Sequence, residues 1–215
     1  MRIINEPQHL PDGSANPAWL AARAGKFTGS DFHQYMSIVK KGELSDTAES
    51  NLYKKVLEAI GYDFGEASRS EAMERGTELE PLARQEYIEQ TFNDVQEVGF
   101  VDWEAKRAGC SPDGVIYHDG RLDKIIEIKC PEIKNYLRMA AGKIPPVYQT
   151  QMQFNMLLTG ADSCDFIVWH PDMKLVIQEI AADGEYQTQI VEALNKLNAR
   201  YDEILDEINK YKREV

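Results

Sequence analysis

Apolar side chains three and four positions apart recur along Asp31–Val39, along Glu49–Ile60 up to Gly61, and from about Ser70 to Phe92. That is the period of helices with one buried face. Pro81 falls inside the third stretch and predicts a local disturbance there. The period then changes. VGFVDW (98–103) and GVIYHDGRLDKIIEIKC (114–130) read as strands, the latter folded into a hairpin at His118-Asp119-Gly120. A helix follows from about Val147 to Leu158, stopping at Thr159-Gly160, and a second hairpin, DFIVWHPDMKLVIQEI (165–180), turns at His170-Pro171-Asp172. The last helix, at about 185–213, carries Ile190, Leu194, Leu197, Tyr201, Ile204, Ile208 and Tyr211 in alternating steps of four and three. So short a seam predicts a helix laid on its own core in preference to a subunit contact.

This order of helices, strands, helix, strands, helix defines an α/β layered domain and not a bundle or a sandwich. At 215 residues, without repeat or linker, the chain is expected to form one domain, 1–215. No apolar run approaches the ~20 residues of a membrane span. The start, MRIINEPQHLPDG, lacks the apolar core of a secretion signal, so a cytoplasmic protein with no membrane partner is expected. Cys110, Cys130 and Cys164 are scattered, as reduced thiols are, and His9, His33, His118 and His170 show no zinc spacing. The net charge of −12 argues against a binder that relies on an overall basic field. Locally the balance reverses: Arg121, Lys124, Lys129, Lys134, Arg138 and Lys143 outnumber Asp123, Glu127 and Glu132, and any polyanion is expected to be met there.

Two charges interrupt what is otherwise a buried strand. By strand alternation Ile125, Glu127 and Lys129 share one face and Ile126, Ile128 and Cys130 the other. A buried carboxylate without a partner costs several kcal/mol or more, so Glu127 requires a cation, either Lys129 or a metal. The hairpin brings Asp113, at the start of the preceding strand, beside Glu127. Carboxylates that close force one to keep its proton unless a divalent cation sits between them. Hard oxygen ligands select Mg²⁺ or Mn²⁺ over zinc. The bland alternative is a solvated Glu127–Lys129 pair on a surface hairpin.

Pro112-Asp113 followed by Glu127-Ile128-Lys129 resembles the P-D…(D/E)-x-K signature of the restriction-endonuclease-like nucleases. GCSPDGV, EIKCP and YQTQMQFNMLLTG narrow the resemblance to the lambda-type phage exonucleases, also called YqaJ-type viral recombinases or alkaline exonucleases. Trp19 to Arg23, Thr28-Gly29-Ser30 and Arg75 to Glu80 match that family's W-x-x-x-R, T-x-S and G-x-x-x-E elements. The match runs in order from about Trp19 to Ile180; it departs over Lys40–Arg69 and at Pro81, directly after the motif glutamate.

The resemblance implies a restriction-endonuclease-like core, a mixed central sheet flanked by helices. It implies a Mg²⁺-dependent 5′-to-3′ exonuclease on double-stranded DNA, with Mn²⁺ as substitute, leaving 3′ single strands for phage-type recombination. A homotrimeric ring, a single-strand-annealing recombinase as partner, and a phage or prophage origin in the bacterial cytoplasm come with it. It assigns Asp113, Glu127 and the Ile128 carbonyl to the metal, and Lys129, Glu80 and Gln151 to catalysis. Arg23, Thr28, Ser30 and Ser111 are assigned to a 5′-phosphate, and Tyr148 to DNA. Local readings compete at three of these places. Thr77-Glu78-Leu79-Glu80 also reads as a capping box, although Pro81 at N4 argues against it. Ser30 reads as the N-cap of the helix it opens. Tyr148, Gln151 and Asn155 also read as a solvated helix face. The rival functions are a same-fold endonuclease and a non-catalytic scaffold for an annealing protein. An iron–sulfur Cas4-like nuclease needs four cysteines where this chain has three.

Overall fold

The computed structural model of the chain describes residues 2–4, 6–8, 10, 14–62, 64 and 71–211. Its first half contains β1 (Arg2–Ile4), α1 (Pro17–Arg23), β2 (Phe27–Thr28), α2 (Ser37–Lys40), α3 (Asp46–Ala59) and α4 (Glu71–Thr91). Then come β3 (Val95–Gln96), β4 (Phe100–Trp103), β5 (Ala108–Cys110), β6 (Gly114–His118) and β7 (Arg121–Lys129). The chain continues with α5 (Ile133–Ala140), α6 (Pro146–Thr159), β8 (Ser163–Val168), β9 (Val176–Ala181) and α7 (Gly184–Tyr211).

The central mixed sheet has the order β3-β6-β7-β8-β9. β6 and β7 form the expected hairpin, with Asp119 at φ 50° and Gly120 at φ 75°, the left-handed pair that a tight two-residue turn needs. β7 and β8 run parallel, joined by a crossover through α5 and α6, and β8 and β9 close the second expected hairpin. Both faces of β7 are covered, which accounts for its nearly unbroken apolar run. Ile126, Ile128 and Cys130 pack with Ala83 and Tyr87 of α4. On the other face Ile125 packs with Met152 and Met156 of α6 and Tyr136 and Met139 of α5. The fold is the restriction-endonuclease-like α/β arrangement, helices over both faces of a mixed sheet.

VGFVDW does not join that sheet. β4 lies in a second sheet, β1-β4-β5-β2. Its partner β5 is the weak sequence Ala-Gly-Cys, because Phe100 fills the space above it: a Cβ on Gly109 would lie 2.0 Å from the Phe100 ring. The helix expected over Asp31–Val39 is instead a 3₁₀ turn, Phe32–Tyr35, followed by the single turn of α2. Phe32, Tyr35, Met36 and Ile38 are all buried there, too many apolar neighbours for one helical stripe. α4 runs unbroken through Pro81, and its expected start at Ser70 lies outside the described residues. The buried Ala83 and Tyr87 hold it to the sheet despite the missing amide.

α6 is buried between two layers. Its Phe154 and Leu158 turn away from the sheet into a cluster with Phe27, Phe32, Leu52, Ile190, Leu194 and Leu197. The seam of α7 therefore rests on the chain's own core, with Tyr201 and Ile204 also buried and Tyr211 87% exposed; its expected end at 213 lies outside the described residues. Cys110, Cys130 and Cys164 are buried free thiols, and His9 lies outside the described residues. Among the described residues no helix is long and apolar enough to cross a membrane.

Candidate active site

A cleft of about 690 Å³ opens at the C-terminal end of β7. Asp113, Glu127, Ile128 and Lys129 line it from the hairpin, Glu80 from α4, and Tyr148 and Gln151 from α6. Arg23, Thr28, Ser30 and Ser111 complete the wall, so every residue that the resemblance assigns to the metal, catalysis, the 5′-phosphate or DNA meets the same space.

The P-D pair has a local cause. Gly114 pairs with Ile126, so two residues further on Ile128 would face Pro112, which has no N–H to offer the Ile128 carbonyl. The Ile128 amide donates to Asp113 Oδ2 at 2.6 Å. Glu127 is fully buried: its Oε1 accepts from Lys129 Nζ at 2.5 Å and its Oε2 from Asn155 Nδ2 at 3.3 Å. Lys129 Nζ also lies 5.0 Å from the centre of the Tyr148 ring. The surface hairpin pair is thus excluded, and Lys129 is a partner of the buried carboxylate.

Electrostatics follow from this crowding. Burial, reinforced by the Asp113 charge and opposed by Lys129, pushes Glu127 up to about 7. Asp113 is raised as well, by burial, against the pull of Lys129, the Ile128 amide and Arg84. Glu80 is pushed up to about 8, by burial first and the Asp113 charge second. Burial drives Lys129 down, but Glu127 and Asp113 outweigh it and hold the ammonium above the ordinary lysine value. The carboxylates resist ionising together, a repulsion that a divalent cation between them would relieve. Among the described residues no three His, Cys, Asp or Glu side chains form a ready-made cage. Two carboxylates and a carbonyl, with water completing the shell, still fit Mg²⁺, which keeps several of its waters.

Because α4 begins before Thr77, the capping box at Thr77–Glu80 is excluded and Glu80 is a mid-helix side chain. Arg84, one turn on, donates from Nη2 to Glu80 Oε1 at 2.6 Å and from Nε to the Asp113 carbonyl at 3.1 Å. Sequence reasoning missed this arginine; the signal was the i,i+4 spacing from Glu80. It underrated Asn155 too: the α6 stripe is no solvated face, since Asn155 is 1% exposed.

Ser30 caps nothing. The 3₁₀ turn starts after Asp31, whose Oδ1 takes the Thr28 amide at 3.1 Å. Thr28 Oγ1 and Ser30 Oγ lie 3.3 Å apart. Trp19 Nε1 donates to Ser111 Oγ at 3.1 Å, and the Arg23 guanidinium stacks 4.4 Å from the Trp19 ring centre. Between the hydroxyls, Gly29 is a space requirement: a Cβ would lie 2.3 Å from Asn155 Oδ1. Gly29→Ala should push Asn155 off Glu127 and cost about 1–3 kcal/mol in urea unfolding. An unchanged midpoint would show that α6 yields freely there.

A mixed sheet carrying P-D and E-x-K at adjoining strand ends defines a nuclease of the restriction-endonuclease-like class. Residues 18–162 match the YqaJ-like viral recombinase domain, and the chain belongs to that family. Its structure is similar to that of an alkaline exonuclease, LHK-Exo, from Laribacter hongkongensis, at 30% identity and a TM-score of 0.73, over 92% of this chain and 100% of the other. A complex of LHK-Exo with dAMP matches at 29% and 0.72 over the same shares. A phage-related exonuclease from Haemophilus somnus 129PT, at 20% identity and 0.68 over 85% of this chain and 96% of that one, shares the fold. No curated protein sequence matches the chain significantly.

Proposed function

We propose that the protein is a Mg²⁺-dependent 5′-to-3′ exonuclease that degrades one strand from double-stranded DNA ends and leaves 3′ single strands for recombination. The observation that carries this reading is the convergence of Asp113, Glu127, Lys129, Glu80 and Gln151 with the Arg23, Thr28, Ser30 and Ser111 group on one cleft. Asp113, Glu127 and the Ile128 carbonyl would hold Mg²⁺, or Mn²⁺ in its place; when bound, the ion supplies Lewis-acid polarisation of the phosphate and of water. Lys129, fixed by Glu127, orients a water and offsets charge on the phosphate. Glu80 would act on the metal directly or through water, and Gln151 would stand beside the scissile phosphate with Tyr148 toward the DNA from α6. The similarity to exonucleases supports DNA ends as substrate. End-labelled linear duplex should be digested in Mg²⁺ and spared in EDTA, with closed circles intact; cut circles would make the protein an endonuclease.

The hydroxyl and arginine group sets the polarity. Arg23 offers a bidentate fork, and Thr28, Ser30 and Ser111 offer hydroxyl donors, to a terminal 5′-phosphate. Phosphorylated ends should be cut roughly tenfold faster than hydroxyl ends, and Arg23→Ala should erase the difference. Equal wild-type rates on both ends would remove the pocket. A homotrimeric ring would retain so acidic a protein on DNA, and light scattering should report three subunits. Its expected partner is a single-strand-annealing recombinase in the bacterial cytoplasm.

A further inference from the structure

We infer that Arg84 is a positioning residue that registers Glu80 against Asp113; this rests on the reading of those two carboxylates as active-site groups. Three segments meet at its guanidinium. Nη2 donates to Glu80 Oε1 at 2.6 Å, Nε to the Asp113 backbone carbonyl at 3.1 Å, and Nη1 lies 3.2 Å from Glu97 Oε1. The Arg84 side chain is 13% exposed, whereas Glu97 is 74% exposed. The planar fork thus spends two of its edges on the cleft and one on a solvated carboxylate.

The arrangement answers a mechanical problem. Glu80 and Asp113 come from different kinds of support, a helix on one sheet face and the residue that leads into the interior strand β6. Pro81 follows Glu80 directly and deprives α4 of one amide at that turn. Asp113 has its carboxylate committed to the Ile128 amide, so its own position is fixed by the carbonyl on the other side of the same residue. Arg84 binds that carbonyl and the Glu80 carboxylate with a single rigid group, which sets the distance between the two. Lysine supplies the charge but one compact ammonium cannot reproduce the fork.

A double-mutant cycle tests this. Arg84→Gln and Arg84→Lys should each lower kcat on 5′-phosphorylated duplex roughly tenfold or more, with KM within about threefold. Mn²⁺ affinity by calorimetry should stay within about threefold of wild type or tighten, since a neighbouring cation has been removed or displaced. In a Glu80→Gln background, Arg84→Gln should reduce kcat by less than about threefold further, because the partner it positions is gone. Glu97→Gln should match wild type. Full kcat in Arg84→Lys, or independent multiplicative losses in the cycle, would overturn the inference, as would a loss of kcat that tracks a loss of folded protein by circular dichroism. Asp113→Asn is the companion control: if it cleaves at the wild-type rate, the carboxylate reading itself fails, whatever Arg84 does.

Discussion

Asp113→Asn is expected to lower duplex cleavage by roughly 10³-fold while raising the melting temperature of the metal-free protein at pH 8. The asparagine oxygen can still accept the Ile128 amide, so the strand end keeps its bond and only the charge is lost. That charge is one of the causes that raise both Glu127 and Glu80. A carboxylate raised on folding contributes stability while the pH lies below its unfolded value, and that contribution is lost as pH climbs through the folded value. With Glu127 at about 7 and Glu80 at about 8, the metal-free wild type should lose stability between about pH 5 and pH 8. Asp113→Asn should lose less over the same window, and Mg²⁺ should raise the wild-type melting temperature more at pH 8 than at pH 5. Melts in EDTA and in Mg²⁺ at the two pH values read this directly. Lys129→Ala should fail differently, losing rate while its duplex affinity in Ca²⁺ stays within about threefold. An Asp113→Asn protein that cleaves normally, or a melting temperature that is flat with pH, would count against a cation site here.

Much of this site could be read from the chain because its residues sit on the elements with the strongest local signals. Strand alternation placed Glu127 and Lys129 on one face, and the Asp119-Gly120 turn placed Asp113 opposite them; both are properties of a few consecutive residues. α6 was equally legible, since Thr159-Gly160 stops it and Gly160 adopts φ 78°. What escaped depends on groups distant in sequence. β5 exists because Phe100 covers Gly109, and nothing within Ala-Gly-Cys announces a strand. Ser30 has every local qualification for a cap, but Asp31 holds the Thr28 amide first and the turn that follows is 3₁₀. Arg84 was missed because only its i,i+4 spacing from Glu80 is local; its bond to the Asp113 carbonyl exists once the start of β6 is folded against it. Pro81 marked a break that tertiary packing of Ala83 and Tyr87 overrides. Periodicity reports which face is buried; it is silent on which long side chain crosses between elements.

Charge reversal of Lys134 and Arg138 together is expected to weaken duplex binding by roughly 10²-fold, although the whole protein carries −12. The basic stretch between Arg121 and Lys143 does not act as one surface. Lys124 is bound to Asp165 at 3.1 Å and Glu179 at 2.7 Å, so its charge is spent inside the fold. Arg121 begins β7 while Lys129 ends it, about 26 Å away along an extended strand. Lys129 is committed to Glu127 within the cleft. Lys134, Arg138 and Lys143 remain, exposed and without an ion pair among the described residues, and the first two lie one turn apart on α5, next to Asn135 and Met139 of the cleft wall. DNA whose end occupies the cleft would run its next phosphates past that helix, where two free cations release counterions on contact. Titrations in Ca²⁺ across a salt series should show the slope of log affinity against log salt shallower by about 2 in the Lys134→Glu, Arg138→Glu protein. Arg121→Glu should leave both slope and affinity at wild type. If Arg121→Glu weakens binding as much as the α5 pair does, the duplex crosses the far end of β7 and the path along α5 is wrong.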